Sequence, residues 1–130
     1  MGSATGYECR SCGARFQVEE GGGFFFDLLH CDACGATWSI GHEELGDAHL
    51  GYVKGLGMPY AMARAENDAR IQREYPGPVL SEAEYHAAVE ARAGRCLCGG
   101  SFRYTAPARC PTCRSTVEQW TPTGEQMFYD

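Results

Sequence analysis

The sequence predicts a small, metal-stabilised α+β protein made of two cysteine-clamped β-hairpin units joined by a helical segment. Three observations predict it. The 130-residue chain carries eight cysteines as four close pairs, two near each end. Short apolar, β-favouring runs flank those pairs, and the cysteine-free middle is rich in Ala, Glu and Arg. A chain of this length is about one domain, and units this small bury too little surface to hold together without staples. The expected boundaries are 1–42, 43–94 and 95–130.

In the first unit, Cys9 and Cys12 are two residues apart, as are Cys31 and Cys34, with eighteen residues between the pairs. The runs "ARFQV" and "FFFDLLH" read as two strands of one hairpin turning near Gly21–Gly23, and "ATWSI" as a third strand with Trp38 and Ile40 on one face. The opening "MGSATG" has Gly6 where a myristoylation signal needs Ser or Thr, and reads as an expression scar.

The middle segment starts with Gly41–Pro59, expected to form an ordered loop or short helical turns around "AHLGYVKGL". A helix is expected from Tyr60 to about Tyr75, opened by Pro59 and stopped by "YPGP". A second follows Ser81, whose spacing to Glu84 matches a capping box, and ends at Gly94. In the last unit "SFRYT" and Thr116–Trp120 read as strands around a turn at "APA", and the tail "TGEQMFYD" as a segment able to dock.

The pattern C-x-x-C-G lets two thiolates in one tight turn face one ion, and a glycine after the second cysteine lets the backbone adopt positive φ. Two such turns supply the four tetrahedral ligands that zinc prefers. In the reducing interior of a cell, paired cysteines are metal ligands far more often than disulfides. The spacing of Cys9, Cys12, Cys31 and Cys34, with Gly13 and Gly35, resembles the zinc ribbon family. Cys96, Cys98, Cys110 and Cys113 resemble a second ribbon that departs from the pattern twice: the first pair is one residue short, and Arg114 stands where a glycine commonly follows. The resemblance implies two Zn²⁺ ions, one for each consecutive quartet. The first quartet is also similar to the rubredoxin pattern of two CxxCG turns around iron, but "CDACG" lacks the proline of the rubredoxin second turn.

A closed site of four cysteines leaves no coordination position for substrate, which argues against Lewis-acid catalysis. No serine–histidine–acid cluster or glycine-rich phosphate loop is legible, so the sequence predicts a protein that is not an enzyme. His30, His42, His49 and His86 read as surface groups or neighbours of the ligands, and the Glu and Asp residues as solvated faces. The net charge of −6 disfavours non-specific binding to phosphate backbones. Within the last unit, Arg95, Arg103, Arg109 and Arg114, interleaved with Phe102 and Tyr104, form the one stretch suited to nucleic acid. Phe24, Phe25 and Phe26 must place at least one ring on the opposite strand face from the others, either covered by the central helices or exposed for a protein partner. The expected function is a protein–protein adaptor or accessory subunit, with a nucleic-acid-binding ribbon and an electron carrier as alternatives. No leader or membrane span is legible, and the expected location is the cytoplasm.

Overall fold

The computed structural model describes residues 2–130. Ten regular elements follow one another: β1 (Gly2–Cys9), β2 (Arg15–Glu20), β3 (Phe26–Cys31), β4 (Thr37–Gly41), α1 (His42–Leu45), α2 (Asp47–Gly55), α3 (Ala65–Glu74), α4 (Glu82–Ala93), β5 (Phe102–Arg103) and β6 (Trp120–Tyr129). Single 3₁₀ turns precede α3 and β6. The strands form two antiparallel three-stranded sheets, ordered β2-β1-β6 and β4-β3-β5.

The expected hairpin between "ARFQV" and "FFFDLLH" does not form, because the two runs lie in different sheets. β2 pairs with β1 from Ser3↔Glu20 to Glu8↔Arg15, and β3 pairs with β4 from Phe26↔Gly41 to His30↔Thr37. Each hairpin is closed by a CxxC turn, whose backbone carries the ladder straight across: Cys9 N–H donates to Ala14 O, and Cys31 N–H to Ala36 O. The connection between β2 and β3 is equally short, so length does not decide; the CxxC closures are each tied by two backbone hydrogen bonds, Gly13 N–H to Cys9 O and Gly35 N–H to Cys31 O beside the two ladder bonds. The segment "GSATG", read as a scar, is the central strand of its sheet, paired on its other side with the tail from Gly2↔Tyr129 to Cys9↔Trp120. Its composition hid it, since Gly, Ser and Ala are poor strand formers.

The helices lie between β4 and the third cysteine pair. Ser81 and Glu84 form the expected reciprocal capping box on α4, which ends at Gly94. α3 begins at Ala65 rather than Tyr60, because Tyr60 leaves the helix path to meet His42 and His49 edge-on, at ring-centroid distances of 5.1 and 5.5 Å. Ala61 stays extended, and its N–H donates to the buried carboxylate of Asp68 at 3.3 Å.

Two apolar clusters result. The larger joins Leu29, Ile40, Leu45, Tyr85, Val89 and Phe102 to Cys31, so that α4 packs across the β4-β3-β5 sheet. Full burial of Leu29, Ile40 and Val89 contributes roughly 1.5–3 kcal/mol for each side chain. The smaller cluster holds Val18 and Trp120 against Cys9 and Cys110, with Phe16 edge-on to the indole at 4.9 Å. Each core therefore contains cysteines, and the thiolate sites are continuous with the packing. Among the described residues no helix is long and apolar enough to cross a membrane.

Candidate metal centres and a buried polar cluster

The eight cysteines converge as two quartets, but not as consecutive ones. Cys9 and Cys12 meet Cys110 and Cys113, while Cys31 and Cys34 meet Cys96 and Cys98. One site is thus nested inside the other along the chain, and each draws one pair from either end. A self-contained metal unit at 1–42 and another at 95–130 do not exist. The topology is the reason: β1-β2 and β3-β4 are separate hairpins, so each brings a single CxxC turn, and the completing pair comes from whichever C-terminal strand joins that sheet, β6 or β5.

The sulfur positions fit a tetrahedral metal. Sγ–Sγ separations are 3.6 Å for Cys9–Cys113 and for Cys12–Cys110, 3.5 Å for Cys31–Cys98 and 3.7 Å for Cys34–Cys96. Four thiolates at about 2.3 Å from zinc stand about 3.8 Å apart along the edges of a tetrahedron, whereas a disulfide needs about 2.05 Å. All eight cysteines are free of disulfides.

The four turns share one scheme, and the short pair is a contracted version of it. In the CxxC turns, the first cysteine accepts from the N–H four residues on, from Gly13, Gly35 and Arg114 to Cys9, Cys31 and Cys110. In the CxC turn both ring-closing bonds shorten by one residue: Gly99 N–H donates to Cys96 O, and Cys96 N–H to Gly100 O. Gly13, Gly35, Arg114 and Gly99 all hold positive φ, at 78°, 77°, 63° and 95°. Arg114 is the only non-glycine residue described with positive φ. Gly100 serves differently, since a Cβ there would lie 2.6 Å from Cys31 Sγ and 2.7 Å from Ala33 Cβ.

The sulfurs also receive hydrogen bonds. Ala33 N–H points at Cys31 Sγ and Gly100 N–H at Cys98 Sγ, at 3.4 and 3.5 Å. Around the outer site, Ser115 Oγ lies 3.3 Å from Cys9 Sγ and 3.2 Å from Cys113 Sγ, and accepts from Trp120 Nε1 at 3.3 Å. This hydroxyl is the leading influence that brings the Cys9 thiol down from 9.0 to about 6. Such contacts favour the thiolate and so favour metal binding.

The residues expected to touch a partner divide sharply. Phe102 is buried in the core, which corrects its placement on a stacking surface. Tyr104 is half-buried and stacked on His86 at 3.9 Å. Arg103 pairs with Glu90 at 2.9 Å. Arg95 donates to Gly99 O and Arg109 to Arg114 O, both at 3.1 Å, so these arginines brace the cysteine turns. Arg114 itself remains exposed. Phe24 is half-buried and Phe26 stacks on Tyr129 at 6.0 Å, but Phe25 is 58% exposed.

A second cluster went unread in the sequence. Asp27, His42 and His49 are buried, against the expectation of solvated acids and surface histidines. Tyr85 Oη donates to Asp27 Oδ2, His42 Nε2 faces the same oxygen at 3.2 Å, and His49 Nδ1 lies 3.3 Å from Tyr85 Oη. The imidazoles of His42 and His49 stack with centroids 3.9 Å apart. Contacts with His42 and Tyr85 overcome burial and hold the Asp27 carboxyl below its ordinary value, while burial is the main cause that drives His49 down to about 4. Part of the signal was available, since Asp27 is the one charge inside the run "FFFDLLH"; the two histidines meet only because the chain breaks at Gly46 between α1 and α2, which no helical period marks.

The fold and the sites define a two-sheet α+β protein carrying two nested four-cysteine groups able to hold metal ions. The chain belongs to the family described as domain of unknown function (DUF8255), whose model matches residues 5–119 and so includes all eight cysteines. Searches of curated proteins and of solved structures gave no match.

Proposed function

We propose that this protein is a non-catalytic adaptor of the cytoplasm in which two zinc ions, bound in the manner of zinc ribbons, hold a rigid surface for another protein. Four thiolates on each ion occupy every tetrahedral position, which supports a structural role for the metal. Apparent zinc-binding energies of about 10–16 kcal/mol exceed the net stability of a typical small domain, so two ions can replace the large core this chain lacks.

The observation that carries the partner reading is the groove between Phe25 and the turn before α3. Phe25 is 58% and Met62 82% exposed, and both line one concavity of about 440 Å³. The Arg64 guanidinium lies 5.2 Å from the centroid of the Phe25 ring. Such a site suits a protein segment that inserts an apolar side chain beside an acidic one. The nucleic-acid alternative is less well supported, because Phe102 is buried and Arg95, Arg103 and Arg109 have internal partners. An iron-bearing electron carrier is separated from the zinc reading by visible absorption of the purified protein.

The test compares capture from native extract by the wild-type chain and by Phe25→Ser/Met62→Ser, with metal analysis of both samples. The adaptor reading expects a specific protein retained by the wild type and lost from the variant, with two ions per chain in each. Equal retention by both would contradict it.

A further inference from the structure

The geometry points to a binding site for a phosphoryl group in the cavity between α1, α2 and α3. The cavity, of about 310 Å³, is lined by His42, Glu43, His49, Arg64, Asn67 and Arg70 together with Leu50 and Ile71. That volume is at the small end of the range found for ligand sites. It is separate from both cysteine quartets, shares only Arg64 and Asn67 with the groove beside Phe25, and has in His42, His49 and Arg70 chemistry that the adaptor reading leaves unused.

Three features identify the ligand. First, Nδ1 of the buried His42 has no hydrogen-bond partner, while Nε2 is turned to Asp27 at 3.2 Å. Leaving a buried polar atom unpaired costs about 1–3 kcal/mol, which a bound group would offset. Second, Arg64, whose guanidinium lies over Phe25, and Arg70, which donates to Asn67, have no carboxylate within ion-pair distance among the described residues. Two guanidiniums on one cavity present paired N–H donors, the arrangement that matches phosphate oxygens. Third, Asn67 Oδ1 already accepts from Arg70 Nη2 at 2.7 Å, which leaves the Asn67 amide as a further donor.

The charge balance points the same way. Glu43 is the one acidic side chain on the cavity wall, and Asp27 lies behind His42, where it is occupied by His42 and Tyr85. The arginines therefore give the open side a net positive character on a chain of net charge −6. A planar carboxylate satisfies one guanidinium fork. A tetrahedral phosphoryl group offers oxygens to both arginines and to Asn67, and its P–OH form offers a proton to an imidazole.

Calorimetric titration of the metal-loaded full chain at low ionic strength tests the site with inorganic phosphate, O-phosphoserine and acetate. Saturable 1:1 binding of phosphate, with acetate much weaker, is the expected result. Tighter binding of O-phosphoserine identifies a phosphoryl group carried on a larger molecule, and equal or weaker binding identifies the free anion. Arg70→Gln, at an exposed position, should weaken binding about tenfold, the equivalent of 1.4 kcal/mol. Glu43→Gln should tighten it by removing repulsion, a gain that misfolding cannot mimic. Met62→Ser should leave it unchanged, which separates this site from the adaptor groove. Absence of saturable binding, equal affinity for acetate, or an unaltered affinity in Arg70→Gln with metal content retained would each overturn the proposal.

Discussion

Replacing Gly100 by alanine places the added methyl against the opposite turn of the inner site. Its Cβ would lie 2.6 Å from Cys31 Sγ, 2.7 Å from Ala33 Cβ and 2.8 Å from Asp32 Oδ1. Ordinary carbon contacts begin near 3.5 Å, so the Cys96–Cys98 turn must retreat by about 1 Å. Metal sites tolerate errors of about 0.2 Å in ligand distance, and overpacking of this kind costs about 1–3 kcal/mol. The expected effect is a loss of inner-site zinc affinity of roughly 10- to 100-fold, with the outer site unaltered. Competition against a chelator of known affinity, with each site followed by the protection of its cysteines from alkylation, measures both. Gly99→Ala is the control. Its Cβ meets nothing within 4 Å, so its cost is confined to the backbone strain of φ 95°, about 1–2 kcal/mol. An inner-site affinity unchanged in Gly100→Ala would refute the packing argument. A selective weakening at Cys110 and Cys113 would refute the nested pairing, because only consecutive pairing places Gly100 in their site.

Other expectations follow from single residues. Arg114 holds φ 63°, so Arg114→Gly should relieve strain and stabilise the protein by about 1 kcal/mol in chemical denaturation, and a destabilised variant would contradict this. Tyr85→Phe removes the hydroxyl donor to buried Asp27 and should cost about 1–3 kcal/mol, against near-zero cost if that bond is unimportant. His49 is held down from 6.5 to about 4, so the folded chain resists a proton that the unfolded chain accepts. Its contribution to stability is therefore present above pH 6.5 and is lost as pH falls from 6.5 towards 4. His49→Gln should show a shallower fall across that window than the wild type, and parallel curves would show that His49 does not titrate this way.

Local features were legible where the chemistry is local. The CxxC turns follow from spacing and a following glycine, and the Ser81 cap from its Glu84 partner. Which turns share a metal was not legible, because spacing within a pair says nothing about which strand lies beside it. That choice rests on β1, whose "GSATG" has weak strand propensity and is held by pairing on both edges. Tyr60 likewise left the expected helix because its edge-on contacts with His42 and His49 outweigh a small propensity. The tail "TGEQMFYD" forms most of β6 although its side chains are largely exposed, so its order comes from the backbone ladder to β1.

The nested arrangement of the two metal sites is tested most directly by substituting ¹¹³Cd into the full chain and correlating each metal resonance with cysteine Hβ protons. The account predicts two resonances, one coupled to Cys9, Cys12, Cys110 and Cys113 and the other to Cys31, Cys34, Cys96 and Cys98. A resonance coupled to Cys9, Cys12, Cys31 and Cys34 would contradict it.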